Sequence, residues 1–165
     1  MRKPAAVAAL ALTAVLVTSC RPETVCPAIA VAPVVSLTVD REYAPSVKAV
    51  HLKACQDGHC READLELMPG SVTVDQGCRT GPSGGDGVCS ATSSPDGTLT
   101  GMLLTETVTG NRMEVTSTGT ATSGSLLPER TADFTPRLVQ PFGERCGSFF
   151  TAHVVLDADG LRQAP

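Results

Sequence analysis

The sequence predicts an all-β domain. Three observations carry this: from Val34 onward apolar and polar residues alternate with a period near two, the alternating stretches are rich in Val, Thr and Leu, and Gly or Pro recurs about every ten residues. Seven cysteines in 165 residues add a disulfide framework to the expectation.

The chain opens with a segment of a different kind. Arg2 and Lys3 precede an apolar run over residues 5–17 in which Thr13 is the only polar residue. As a helix it would rise about 20 Å, against a bilayer hydrocarbon core of about 30 Å, so it reads as the helical core of a signal peptide rather than a membrane span. It ends in Val17-Thr18-Ser19-Cys20, which resembles the bacterial lipobox: an aliphatic residue, two small residues and the cysteine that receives diacylglycerol. The resemblance implies cleavage before Cys20, lipidation of Cys20 and a membrane anchored by that lipid. Cysteine arithmetic points the same way, because an odd count in an exported chain leaves one thiol over. With Cys20 lipidated, Cys26, Cys55, Cys60, Cys78, Cys89 and Cys146 remain as an even set.

Residues 1–19 are thus the expected leader and residues 20–33, with Pro22, Pro27 and Pro33, an extended tether. Residues 34–165 form one domain. The first strand is Val34–Val39, with Val35, Leu37 and Val39 on one face, and residues 40–46 connect it onward. Residues 47–67 organise themselves on one assumption, that Cys55 faces Cys60 across Gln56-Asp57-Gly58-His59. Antiparallel register then pairs Leu52 with Ala63 and Val50 with Leu65 on one face, and Lys53 with Glu62 and His51 with Asp64 on the other. A slip of one residue scatters both faces.

Residues 71–75 read as a further strand. Residues 77–88, half of them Gly or Pro, read as a loop whose ends Cys78 and Cys89 tie together. Closing a loop of that length is worth roughly 3 kcal/mol in the chain-entropy model. Pro95-Asp96-Gly97 is expected to turn the chain into residues 98–105, and Gly110-Asn111 to turn it again into residues 112–118, giving two hairpins. Residues 116–125, almost wholly Ser, Thr, Gly and Ala, suit an edge strand, a flexible loop or a glycosylated linker. Residues 134–139 make a weaker strand and Phe149–Leu156 a stronger one, ending at Asp157-Ala158-Asp159-Gly160. Cys146 is left to pair with Cys26, which would place the lipid at one end of the domain. This is one of the 15 connectivities six cysteines allow. Seven or eight short strands in about 130 residues point to an immunoglobulin-like antiparallel β-sandwich stapled by disulfides, with a small β-barrel as the alternative.

Composition excludes several functions. Loss of Arg2 and Lys3 with the leader takes the formal charge from −4 to −6 and leaves no basic cluster, which argues against nucleic acid. Tyr43, Phe134, Phe142, Phe149 and Phe150 are the only aromatic residues, too few for sugar platforms or aromatic cages.

Four patterns touch on chemistry. Gly81-Pro82-Ser83-Gly84-Gly85 has the letters of a nucleophile elbow without the strand and helix it requires. His51, Cys55, His59 and Cys60 carry zinc-ligand chemistry, but a compartment outside the cytoplasm and the register that opposes Cys55 to Cys60 favour a structural disulfide. Asp157-Ala158-Asp159-Gly160 has the start of a calcium loop and lacks its later Glu, so a β-turn is expected. Glu62, Asp64 and Glu66 alternate along one strand as a solvated face does. No cofactor and no catalytic residue is assigned.

With Val17-Thr18-Ser19-Cys20, Cys26-Pro27-Ala28-Ile29, the Cys55 and Cys60 pair and Glu144-Arg145-Cys146-Gly147 in view, the chain resembles small, Cys-rich lipoproteins of actinobacteria that have no assigned activity. The resemblance implies an outer membrane-face location and offers no catalytic residue. The leading expectation is a non-enzymatic envelope lipoprotein that presents loops to a protein or small-molecule partner. The alternatives are an enzyme whose site is assembled from distant residues, and a metal-binding protein built on His51, Cys55, His59 and Cys60.

Overall fold

The computed structural model describes residues 25–28, 31–79 and 88–165. The expected leader, Cys20, and the Gly81 to Gly85 motif lie outside them. The chain divides into two compact units, one formed by Ala30–Val139 with Ser148–Pro165 and the other by Met1–Ile29 with Gln140–Gly147. Among the described residues there are ten strands: β1 (Val34–Val39), β2 (Val47–Gln56), β3 (His59–Asp64), β4 (Met68–Arg79), β5 (Val88–Leu104), β6 (Met113–Ala121), β7 (Arg130–Phe134), β8 (Arg137–Val139), β9 (Phe149–Leu156) and β10 (Leu161–Gln163). Among the described residues the only helical elements are two three-residue 3-10 turns, at Ala44–Ser46 and Glu144–Cys146, and no helix is long and apolar enough to cross a membrane.

The larger unit is all-β, as the alternation predicts. Its strands form two sheets, one in the order β10-β9-β1-β5-β4 with β8 also pairing β9, the other in the order β3-β2-β6-β7. Alternation decides what they share. Val35, Leu37 and Val39 of β1, Leu103 of β5 and Val154 and Leu156 of β9 turn inward from one sheet. Val50, Leu52 and Ala54 of β2, Met113 and Val115 of β6 and Phe134 of β7 belong to the other, and all lie in one core cluster. Burying each large aliphatic side chain contributes about 1.5–3 kcal/mol.

The sheets are not purely antiparallel. β1 runs parallel to β9, with Val35 beside Ala152 and Val39 beside Leu156. A parallel pair needs a long connection, and here the whole chain between β1 and β9 supplies it, so the expectation of an antiparallel sandwich is corrected at this seam.

The β2–β3 hairpin has the expected register: Leu52 faces Ala63, Lys53 faces Glu62, His51 faces Asp64 and Cys55 faces Cys60, and the Leu65 N–H reaches the Val50 carbonyl at 2.9 Å. The connection is tighter than a four-residue loop. Gln56 pairs with His59, leaving Asp57-Gly58 as a two-residue turn with φ of 53° and 79°, the backbone that a type I′ hairpin requires and that Asp-Gly supplies readily.

Other expectations change. Pro95-Asp96-Gly97 does not turn the chain but lies inside β5. Register passes from Pro69 opposite Leu99 to Ser71 opposite Pro95, so β5 has extra residues that bulge. The Asp96 carboxylate accepts the Thr98 N–H at 2.9 Å and its hydroxyl at 2.7 Å, and Gly97 takes φ 83°: turn chemistry serves a bulge. Gly70 is obligatory opposite it, since a Cβ there would stand 1.9 Å from the Thr98 hydroxyl oxygen.

β4 and β5 pair directly, and the segment 105–112 with Gly110-Asn111 carries the chain from one sheet to the other rather than turning a hairpin. Residues 116–121 are neither an edge nor a loop. Thr116 sits between Lys53 of β2 and Thr131 of β7, and neighbours on both sides bury even Ser117. Residues 134–139 split between β7 and β8, and β10 follows the turn at Asp157.

Above the bulge the two strands leave the core. Residues 71–79 of β4 and 88–93 of β5 are exposed on both faces, forming a two-stranded arm of about 30 Å at the usual strand rise. Cys78 faces Cys89 near its far end.

Candidate functional site

The three disulfides are Cys26–Cys146, Cys55–Cys60 and Cys78–Cys89, with Cα separations of 5.3, 4.1 and 3.9 Å. In the smaller unit, Cys26–Cys146 joins the tether to the Gln140–Gly147 segment, where the Cys146 N–H donates to the Gly143 carbonyl at 3.1 Å. The six cysteines other than Cys20 are therefore all bridged.

The bridge at Cys55–Cys60 removes both thiolates from the four-residue zinc constellation. Its histidines also part company. His51 points to the outer face, where its Nδ1 lies 2.9 Å from Asp64 Oδ1, while His59 lies in the wall of a cavity. Among the described residues no three His, Cys, Asp or Glu side chains are grouped to hold a metal. Glu62 and Asp64 are exposed, each opposite a basic or imidazole partner. At the possible calcium loop, Asp157 Oδ1 accepts the N–H groups of Asp159 and Gly160, both at 2.9 Å, and Oδ2 meets Arg162 Nε at 3.2 Å. Burial tends to raise this carboxyl's pKa, but those donors outweigh it and hold it below the ordinary value. The carboxylate holds a turn.

What the stapled hairpin does build is the cavity, of about 350 Å³, inside the range of small-molecule sites, about 300–1,000 Å³. Ala54 from β2 and the buried Met113 from β6 give it an apolar side. His59 and Arg61 line it from β3, and Thr105, Glu106 and Thr107 line it from the crossing segment. Arg61 and Glu106 form an ion pair that joins the edge of one sheet to the end of β5 in the other.

Two side chains fix that crossing segment. Gln56, buried, donates from Nε2 to the carbonyls of Thr109 (3.2 Å) and Asn111 (2.8 Å) and accepts the Thr109 N–H at 3.0 Å. Asp57, in the turn, accepts from the Thr109 hydroxyl at 3.1 Å and the Asn111 amide at 2.8 Å. Phe150 packs where a Cβ on Gly110 would stand, at 2.8 Å. The wall is thus preorganised by the hairpin end rather than by the loop itself.

Sequence reasoning picked out the hairpin and its disulfide, but not Gln56, Asp57, Arg61, Glu106 or Met113. The one available signal was Asp57-Gly58, a turn dipeptide whose Asp side chain faces whatever packs against the turn. The third histidine, His153, lies on the outer face of the larger sheet against Thr38 Oγ1 at 2.9 Å, and burial lowers its pKa.

Comparison with protein-family models, with curated proteins and with solved structures finds no match to this chain.

Proposed function

We propose that this protein is an envelope lipoprotein, cut before Cys20 and held by lipid on that cysteine at the outer face of a bacterial membrane, with a non-enzymatic β-sandwich that holds a partner or small molecule. The observation that carries the anchor is the pairing of the other six cysteines among themselves. Cys20 is then the seventh, and it sits in the sequence that resembles a lipobox.

An immunoglobulin-like build is supported by strand order. The arrangement β3-β2-β6-β7 opposite β9-β1-β5-β4 corresponds to C′-C-F-G opposite A-B-E-D in that architecture. The C-terminal β9, parallel to β1, takes the position of the first edge strand.

The binding reading rests on the cavity beside Cys55–Cys60. Its polar groups are engaged with one another: Gln56 and Asp57 hold the crossing segment, and Arg61 faces Glu106. That arrangement gives a shaped pocket with an apolar side and a polar rim, the usual form of a recognition site.

Replacement of Cys20 by Ala tests the anchor. The variant is expected to leave the membrane fraction for the soluble fraction and to lose metabolic lipid labelling, and unchanged membrane retention would refute the reading.

A further inference from the structure

We propose that the outer edge of β4 in the arm is a self-association surface, along which two copies of the chain pair antiparallel over residues 71–75, centred on Thr73.

An isolated two-stranded ribbon is marginal in water, and stable sheets add a third strand or a buried face. Among the described residues the arm has neither, although its geometry is held at both ends: by Cys78–Cys89 near the far end and by the Asp96–Thr98 bulge against Gly70 at the base. Two valines on one face, Val72 and Val74, remain 49% and 39% exposed.

The edge itself is unguarded. Sheet ends normally carry charge, proline or an interruption that blocks pairing with another chain. Here β3 has Arg61, Glu62 and Asp64, β7 has Arg130 and Asp133, and β10 is three residues long with Arg162. β8, which pairs only β9, is likewise three residues long and carries Arg137, so β4 is the remaining sheet end, and its Ser71-Val72-Thr73-Val74 has no charge and no proline.

The pairing window is bounded. Pro69 has no N–H, and at the other end the register shifts between Asp75 and Cys78, where Gly77 takes φ 79° and donates its N–H to the Asp75 carboxylate at 2.7 Å. Five regular residues lie between.

Those five residues complement themselves, which is why the occupant is a second copy. With Thr73 opposite Thr73 of the second copy, each Val72 faces a Val74, so four valines meet on one face. Each Asp75 faces a Ser71, so no like charges are opposed. Threonine pairs and β-branched pairs are favourable cross-strand neighbours, and the contact is isologous, as a twofold dimer requires. Five residues a side is far below a standard interface, so association is weak and rises with concentration.

The test uses the full chain in detergent. Wild-type protein is expected to show a dimer fraction that grows with concentration in sedimentation velocity, and Thr73→Cys is expected to form a disulfide-linked dimer faster than the control Thr131→Cys. Val72→Lys with Val74→Lys opposes like charges and should lower the association constant about tenfold or more. Val72→Glu with Val74→Glu should do the same, and an equimolar mixture of the two should recover association. The substituted side chains are exposed, and circular dichroism checks that each variant is folded. A wild-type protein that stays monomeric at every concentration overturns the proposal. So does Thr73→Cys crosslinking no faster than the control, a lysine variant that associates as well as wild type, an unrecovered mixture, or an edge that captures an unrelated peptide strand but not its own copy.

Discussion

Hairpins β2–β3 and β4–β5 are each closed by a cross-strand disulfide, and each alternates apolar and polar residues, yet they do opposite things. In β2 the alternating Val50, Leu52 and Ala54 face a second sheet and are buried. In β4 the alternating Val72 and Val74 face water. The difference lies in what stands opposite. β2 is flanked by β3 and β6 and covered by the inward side chains of β1 and β9, whereas among the described residues the upper part of β4 has β5 alone. A crosslink of the same kind therefore plays two roles: at Cys55–Cys60 it fixes the end of a packed strand pair that shapes a cavity, and at Cys78–Cys89 it holds together a ribbon that no core supports.

Substitutions that remove apolar volume should separate the two hairpins most. Leu52→Ala is expected to cost about 2–5 kcal/mol, as buried leucine truncations do, whereas Val72→Ala should stay within about 0.5 kcal/mol of wild type. Denaturant midpoints read both, and a similar loss at the two positions would break the comparison.

Disulfide removal comes next. Cys78→Ala with Cys89→Ala opens the longer loop and should cost the arm about 3 kcal/mol, while Cys55→Ala with Cys60→Ala opens the shorter one for about 2 kcal/mol. The readouts should differ more than the energies. Hydrogen exchange should report the first as faster exchange confined to arm amides, and the second as lower global stability.

The smallest effect is expected at the joint between arm and core. The Thr98 N–H and then its hydroxyl hold the Asp96 carboxyl below its ordinary value of 3.8. A carboxylate with a lowered folded-state pKa stabilises at neutral pH, and that contribution is lost as pH falls through the folded value. The Thr98 amide resonance should therefore titrate with a midpoint below that of a free aspartate, and Asp96→Asn should abolish the transition.

The same contrast explains how far the sequence could be read. Alternation with charge complementarity located β2, β3 and their register, because one face of that hairpin is buried and the other is solvated, so a single slip is penalised on both. β1 and β9 were legible for the same reason. Alternation at Val72 and Val74 has the same letters without the burial, and nothing local distinguishes an arm from a core strand. Pro95-Asp96-Gly97 carries residues shared by turns and bulges, and which of the two forms depends on β4 continuing alongside. The Ser- and Thr-rich residues 116–121 looked solvent-facing, yet β2 on one side and β7 followed by residues 125–127 on the other make them a central strand. The cavity was the least legible feature, since Arg61 and Glu106 meet only through tertiary approach and Gln56 gives no outward sign that it will clamp a segment more than fifty residues away.

The central claim is the division of seven cysteines into three structural bridges and one lipid anchor, and a non-reducing peptide map of the protein isolated from its own membrane tests it most directly. The prediction is a mature chain beginning at Cys20, with a mass increment of diacylglycerol on that residue, and crosslinked peptides joining Cys26 to Cys146, Cys55 to Cys60 and Cys78 to Cys89. Cys20 found in a disulfide, or an unmodified chain retaining Met1 to Ser19, would contradict it.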